Sequence, residues 1–225
     1  VALDVAGSSP VTHPYDLKTF CNYVKGFFIF TLLYMKFPLI LASSSPRRKQ
    51  LLQNFGVPFS VIASGFDELS VDTSMNPKDY AELLSYEKAN EVLQRMKEDC
   101  IVIGADTIVV MENTILNKPL SFVEAVKMLQ TLSNATHKVI TGVTICTNGN
   151  SCTFSEETYV SFYPLRDEDI ERYVRTGTTF DKAGGYGIQD DYGSTFVKKI
   201  EGCYTNVVGL PLGRLKKELT SLNLL

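Results

Sequence analysis

Histidine is scarce in this 225-residue chain: only His13 and His137 are present, which argues against a histidine-rich zinc site. Any resident metal would be a hard cation held by carboxylates and substrate oxygens. The five cysteines, Cys21, Cys100, Cys146, Cys152 and Cys203, form no CxxC pair and no disulfide-like spacing, a pattern that suits a reducing cytoplasm. An excess of positive charge is also missing. The net charge is −3, so no global basic field draws the chain to nucleic acid, and basic residues must act locally. No apolar run is long enough to span a bilayer. The longest candidate, Gly26–Met35, is preceded by Lys25 and interrupted by Lys36 and Pro38.

That amino-terminal stretch resembles the basic and apolar parts of a secretory signal. Cleavage after Ala42, however, would remove the apolar run Phe37–Ala42 that leads into the first motif. Residues 1–34 also lack clear periodicity. The expectation is a dispensable or non-native extension over 1–34, followed by one domain over 35–225 that begins at Met35. A chain of this length, 44% hydrophobic, can bury one sizeable core or two lobes of one enzyme.

From Lys36 onward, strand-like and helix-like segments alternate, which favours an α/β architecture. Strands are expected at 39–42, 59–63, 101–110 and 195–200. Helices are expected at 46–54, 77–97, 121–132 and 211–219, with another from an Asp167 cap to Gly177. Asn148-Gly149 separates two β-rich runs, 139–147 and 151–163, as a hairpin signal.

Ser43-Ser-Ser-Pro-Arg-Arg48 ends the first strand. Pro46 suits a first helical turn and Ser44 or Ser45 can cap it. The helix start then offers unpaired N–H groups, and Arg47 and Arg48 add forked donors for phosphate oxygens. A capped surface helix with solvated arginines is the plain alternative. Asp106 interrupts an apolar β-branched run beside Gly104, costly for a carboxylate unless it is paired or serves a site. Lys88 falls on or beside the apolar stripe of its helix, by function or by snorkelling. Lys118 precedes Pro119, which gives it an extended or turn backbone. Asp181–Gln189 packs three glycines into a loop that permits close backbone approach. Gln189 can read a base edge. Asp67-Glu68 could hold a metal or form an exposed acidic loop.

Taken in order, Leu41–Arg48, Glu87-Lys-Ala89, Gly104-Ala-Asp-Thr107, Asn117-Lys-Pro119, His137–Val143, Asp181–Gln189 and Asn206–Pro211 resemble the motifs of the Maf family. These are septum-formation-type nucleotide pyrophosphatases. The resemblance implies a mixed twisted sheet with flanking helices, in two lobes around a nucleotide cleft. It also implies cleavage of nucleoside triphosphates to a monophosphate and pyrophosphate with a divalent cation, Mg or Mn. By motif, Asp106 would be the proton acceptor; the chemistry of a carboxylate equally allows Asp106 to hold the metal, and Glu68 is a further metal candidate. Ser43, Arg47, Lys88, Lys118 and Gln189 would bind substrate, and Arg47, Thr107 and Gln189 would set base choice. The Gly-Tyr-Gly-Ile-Gln form resembles the branch that favours dTTP and UTP. Asn117 departs from the family, which often carries Glu there. A homodimer is compatible with the resemblance; a stable nucleic-acid complex or membrane attachment is not expected. The rival readings are a nucleotide-binding regulator of division without catalysis, and a nucleic-acid-binding module.

Overall fold

The computed structural model describes residues 36–190 and 192–225. Residues 1–35 and Asp191 lie outside it, and with them the expectations about the amino-terminal segment. A seven-stranded mixed sheet forms the centre, in the order β2-β1-β3-β5-β6-β7, with β4 paired to β3. The strands are β1 (Leu39–Ala42), β2 (Phe59–Val61), β3 (Ile101–Met111), β4 (Thr114–Leu116), β5 (Thr136–Thr147), β6 (Asn150–Phe162) and β7 (Val197–Glu201). β2, β1 and β3 run parallel, whereas β4, β5, β6 and β7 join by antiparallel pairing.

The helices are α1 (Pro46–Asn54), α2 (Pro77–Gln94), α3 (Phe122–Leu132), α4 (Asp167–Val174), α5 (Tyr204–Val208) and α6 (Leu212–Ser221). β3 is buried on both faces, so it reads as a continuous apolar run, as a central strand should. Its odd-numbered residues Ile101, Ile103 and Ala105 pack with Leu51 and Leu52 of α1 and Leu215 and Leu219 of α6. Its even-numbered residues Val102, Ile108 and Val110 face the side covered by α2. α3 and α4 cover the far end of the sheet over Val139, Val160 and Phe162.

Several expected boundaries shift. α2 stops at Gln94, not Lys97, and the Arg95 guanidinium bonds to the Ala63 carbonyl and to Glu91. Asp167 is not a cap. Arg166 occupies the N-cap, and the Asp167 carboxylate instead accepts from Gln130 Nε2. Asp167, Glu168 and Asp169 place three acids in the first turn, where the helix dipole favours them. The last strand starts at Val197 because Gly193–Phe196 forms a short 3₁₀ turn.

Sheet pairing creates the opening for a site. On one edge of β3, β1 pairs as far as Ala42↔Gly104, and β4 pairs from Val109↔Leu116 onward. Between them, residues 105–108 have no strand partner on that side among the described residues. Ser43 directly follows β1, and Lys118 lies just beyond β4. The gap therefore collects residues distant in sequence, at the carboxyl end of the parallel strands.

Candidate active site

A cleft of about 290 Å³ lies at this gap. Five cationic side chains line it, Arg47, Arg48, Lys88, Lys118 and Lys182, against three acids, Glu68, Asp106 and Asp181. The balance is positive in a protein that is acidic overall.

α1 starts at the cleft because the sequence caps it there. The Ser45 side chain accepts from the Arg48 N–H, and Pro46 takes the first helical position. Ser45, not Ser44, is the cap. Ser43, nearly buried, accepts from the Ser45 N–H at 3.2 Å and from Arg48 Nη1 at 3.4 Å.

The two arginines have different surroundings. Arg48 donates to the Gly209 carbonyl and to Thr107 Oγ1, both at 2.9 Å. Burial pulls its guanidinium below the usual value, and Asp106 works against that shift. Arg48 thus ties α1 to β3 and to the turn after α5. Arg47 pairs with Asp181 at 2.9 Å at the cleft mouth.

Asp106 lies in the middle of β3, not at a strand end, and is only 7% exposed. Lys88, 8% exposed, reaches it from α2 with Nζ 2.5 Å from Oδ1. The same ammonium is 2.8 Å from Glu68, which also meets Lys118 at 3.5 Å. Burial alone would raise the Glu68 carboxyl, but Lys88 and Lys118 outweigh it and hold the group below its usual range. Asp67 does not join Glu68; its carboxylate accepts from the Leu69 N–H and caps a 3₁₀ turn.

Two glycines let α2 approach this closely. A Cβ on Gly104 would lie 2.2 Å from the Ser85 carbonyl oxygen, and one on Gly142 would lie 2.1 Å from that of Ala81. Ser85 Oγ then meets Thr144 Oγ1 at 2.8 Å, fixing the helix on β5.

The glycine-rich loop closes the cleft on the opposite side. Gly184 and Gly185 have φ of 68° and 71°, and the Gly184 N–H bonds to the Asn117 carbonyl. Residue 117 thus contributes backbone to the site, while its side chain is exposed. Gln189 lines the cleft and makes no side-chain hydrogen bond among the described residues. Lys182 was not singled out by sequence reasoning. It is buried, and its ammonium meets Asp181 at 2.8 Å, Asp190 at 3.4 Å and the Thr178 carbonyl. Tyr173 in turn donates to Asp190 at 2.6 Å. The signal for Lys182 was its place inside a motif otherwise valued for its glycines.

Ser43, Arg47, Glu68, Lys88, Asp106, Thr107, Lys118 and Gln189 therefore all border one cleft. Thr107, on the opposite face of β3 from Asp106, also joins Thr141 Oγ1 at 3.0 Å. Among the described residues no three His, Cys, Asp or Glu side chains cluster as a metal site, and no helix is long and apolar enough to cross a membrane.

Fold and cleft together define an α/β protein with a cationic pocket built around a buried carboxylate. The chain belongs to the family of Maf-like proteins, whose model matches residues 38–222. It is 47% identical over 186 residues to a protein of Bacillus thuringiensis subsp. konkukian named dTTP/UTP pyrophosphatase, covering 83% of this chain and 96% of the relative. A protein of the same name from Halalkalibacterium halodurans is 48% identical over 182 residues, covering 81% and 94%. Among solved structures, the Ham1 protein of Staphylococcus aureus gives a TM-score of 0.41 at 12% identity, covering 71% of this chain and 80% of that one. That similarity is too low to inform function.

Proposed function

We propose that this protein hydrolyses nucleoside triphosphates, with dTTP and UTP preferred, to a nucleoside monophosphate and pyrophosphate. The observation that carries this reading is the convergence of Asp106 with Lys88, Lys118, Arg47 and the α1 N-terminus on one cleft. The relatives named dTTP/UTP pyrophosphatase support it. A triphosphate needs cationic and N–H donors along its length, and the cleft offers them from both sides of the strand gap. Arg47 and Lys118, near the mouth, are placed to exchange Asp181 and Glu68 for phosphate oxygens. Ser43 and the first turn of α1 add neutral donors. Asp106 then accepts the proton of the attacking water, and Lys88 orients its carboxylate.

The donor set fits a divalent cation. Glu68 and Asp106 converge on a single ammonium, so positive charge is already accommodated between two carboxylates. A Mg²⁺ held by one or two carboxylates and substrate oxygens needs no larger protein cage. Bound there, Mg²⁺ or Mn²⁺ would neutralise phosphate oxygens and stabilise the departing pyrophosphate. Cys100, Cys146, Cys152 and Cys203 are free thiols, as a cytoplasmic enzyme would have. Residues 35–225 form the active unit.

Base choice is assigned to Gln189, Arg47 and Thr107. The Gln189 amide can pair with the carbonyl and N–H edge of thymine or uracil. The test compares kcat/KM for dTTP, UTP, CTP, GTP and 7-methyl-GTP in wild type and Gln189→Ala. Loss of one polar partner to a buried base costs about 1–3 kcal/mol. The variant is therefore expected to lose most of the preference for dTTP and UTP. A wild type favouring 7-methyl-GTP, or unchanged ratios in the variant, would contradict the assignment.

A further inference from the structure

The glycine-rich loop carries Lys182 and Gln189 to the cleft, yet two of its residues, Gly184 and Gly185, have left-handed backbone that gives little stiffness of its own. Its placement is nonetheless tight. A Cβ on Gly184 would lie 2.9 Å from the Val109 side chain on β3.

Tyr186 follows these glycines; its ring packs into the core cluster beneath α3 and α4 and also borders the inner wall of the cleft. Its hydroxyl lies 2.8 Å from Nε2 of His137, a residue of β5 that is fully enclosed and does not line the cleft. Both rings stand edge-on to Phe162, with centroids 5.0 Å and 4.8 Å away. Nδ1 of His137 has no partner among the described residues, so Tyr186 is the imidazole's polar tie. Burial lowers this imidazole to about 4, which keeps it neutral in a near-neutral cytoplasm.

We propose that His137 and Tyr186 are a positioning pair whose hydrogen bond pins the glycine-rich loop to β5 and thereby sets where Gln189 stands in the cleft. Edge-on ring contacts tolerate sliding. A hydrogen bond between two enclosed groups does not, because displacement leaves both unpaired. The bond therefore removes the freedom that the two glycines introduce. The kinetic part of this inference rests on the assignment of Gln189 to the nucleotide site; the structural part does not.

The test uses the full chain with Tyr186→Phe, His137→Leu and the double variant. Amide hydrogen exchange over residues 181–190, thermal melting, and kcat and KM for dTTP are measured on each. Tyr186→Phe is expected to speed exchange in that segment, and raise KM, by about fivefold each, the usual scale for one net hydrogen bond. kcat should stay within about twofold. The double variant should regain melting temperature, since two apolar groups replace an unpaired polar one, yet keep the faster exchange and raised KM. A purely structural role predicts that exchange and KM recover together with melting. That recovery, or unchanged exchange in folded Tyr186→Phe, overturns the proposal. If a single variant does not fold, the double variant decides. A wild type that turns over no pyrimidine triphosphate overturns the reading of the cleft, while the exchange data still judge the pair.

Discussion

Gly104→Ala should damage the protein although it adds one methyl group to a residue that does not line the cleft. The new Cβ would lie 2.2 Å from the Ser85 carbonyl oxygen and 2.8 Å from both the backbone N and the Cβ of Ala89. These are atoms of α2 and cannot rotate away. Relief to ordinary contact requires the helix to retreat by roughly 1 Å, and overpacking of this kind costs about 1–3 kcal/mol. Retreat also strains the Ser85–Thr144 hydroxyl contact, worth about 0.5–1.5 kcal/mol. For a domain of this size each kcal/mol shifts melting by about 2–4 °C. The expected fall is therefore roughly 3–18 °C. Lys88 lies between Ser85 and Ala89, so its contacts to Asp106 and Glu68 open with the same movement, and kcat/KM should fall as well. Gly213→Ala is the control. Nothing lies within 4 Å of its Cβ position in α6, and alanine there should leave melting unchanged or raise it. Melting by scanning fluorimetry and a pyrophosphate-release assay read both effects. A Gly104→Ala protein with wild-type melting and turnover would refute the account of how α2 delivers Lys88.

The pH dependence follows from His137. Burial lowers its pKa from the ordinary 6.5 to about 4, so between these values the unfolded chain binds more protons and stability falls as pH falls. The loss reaches at most about 3 kcal/mol. His137→Gln, which keeps a polar partner for Tyr186, should show a shallower decline in denaturant midpoint from pH 6.5 to 4; an equal slope in both proteins would assign the loss to other groups. A chain starting at Met35 should be folded and fully active, since the family match begins at residue 38; an insoluble or inactive truncation would show that the preceding segment packs on the enzyme.

Local chemistry made much of this fold legible. α1 is bounded where Pro46 and a capping serine place its start, and Ser121 caps α3 by accepting from the Glu124 N–H. The Glu124 carboxylate reaches back one residue further and accepts from the Leu120 N–H. Asp106 stood out because a carboxylate inside an apolar strand needs a partner, and Lys88 because it falls on a buried helical stripe. The partnership itself was not legible, since nothing local shows that Gly104 and Gly142 are contact points for α2. The links Arg47–Asp181, 134 residues apart, and His137–Tyr186, 49 apart, arise from strand order. Sequence periodicity reports which face is buried, not which element covers it.

The central claim is hydrolysis at the α–β linkage with Asp106 as proton acceptor. Its most direct measurement is product identification by ³¹P NMR, with dTTP and UTP in Mg²⁺ or Mn²⁺, for wild type and Asp106→Asn. The account predicts a nucleoside monophosphate and pyrophosphate from wild type. In the variant, turnover should fall by about 10²-fold or more, the scale for a general base, while the protein stays folded because Lys88 keeps Glu68. Release of inorganic phosphate with a nucleoside diphosphate, or near wild-type turnover by Asp106→Asn, would contradict it.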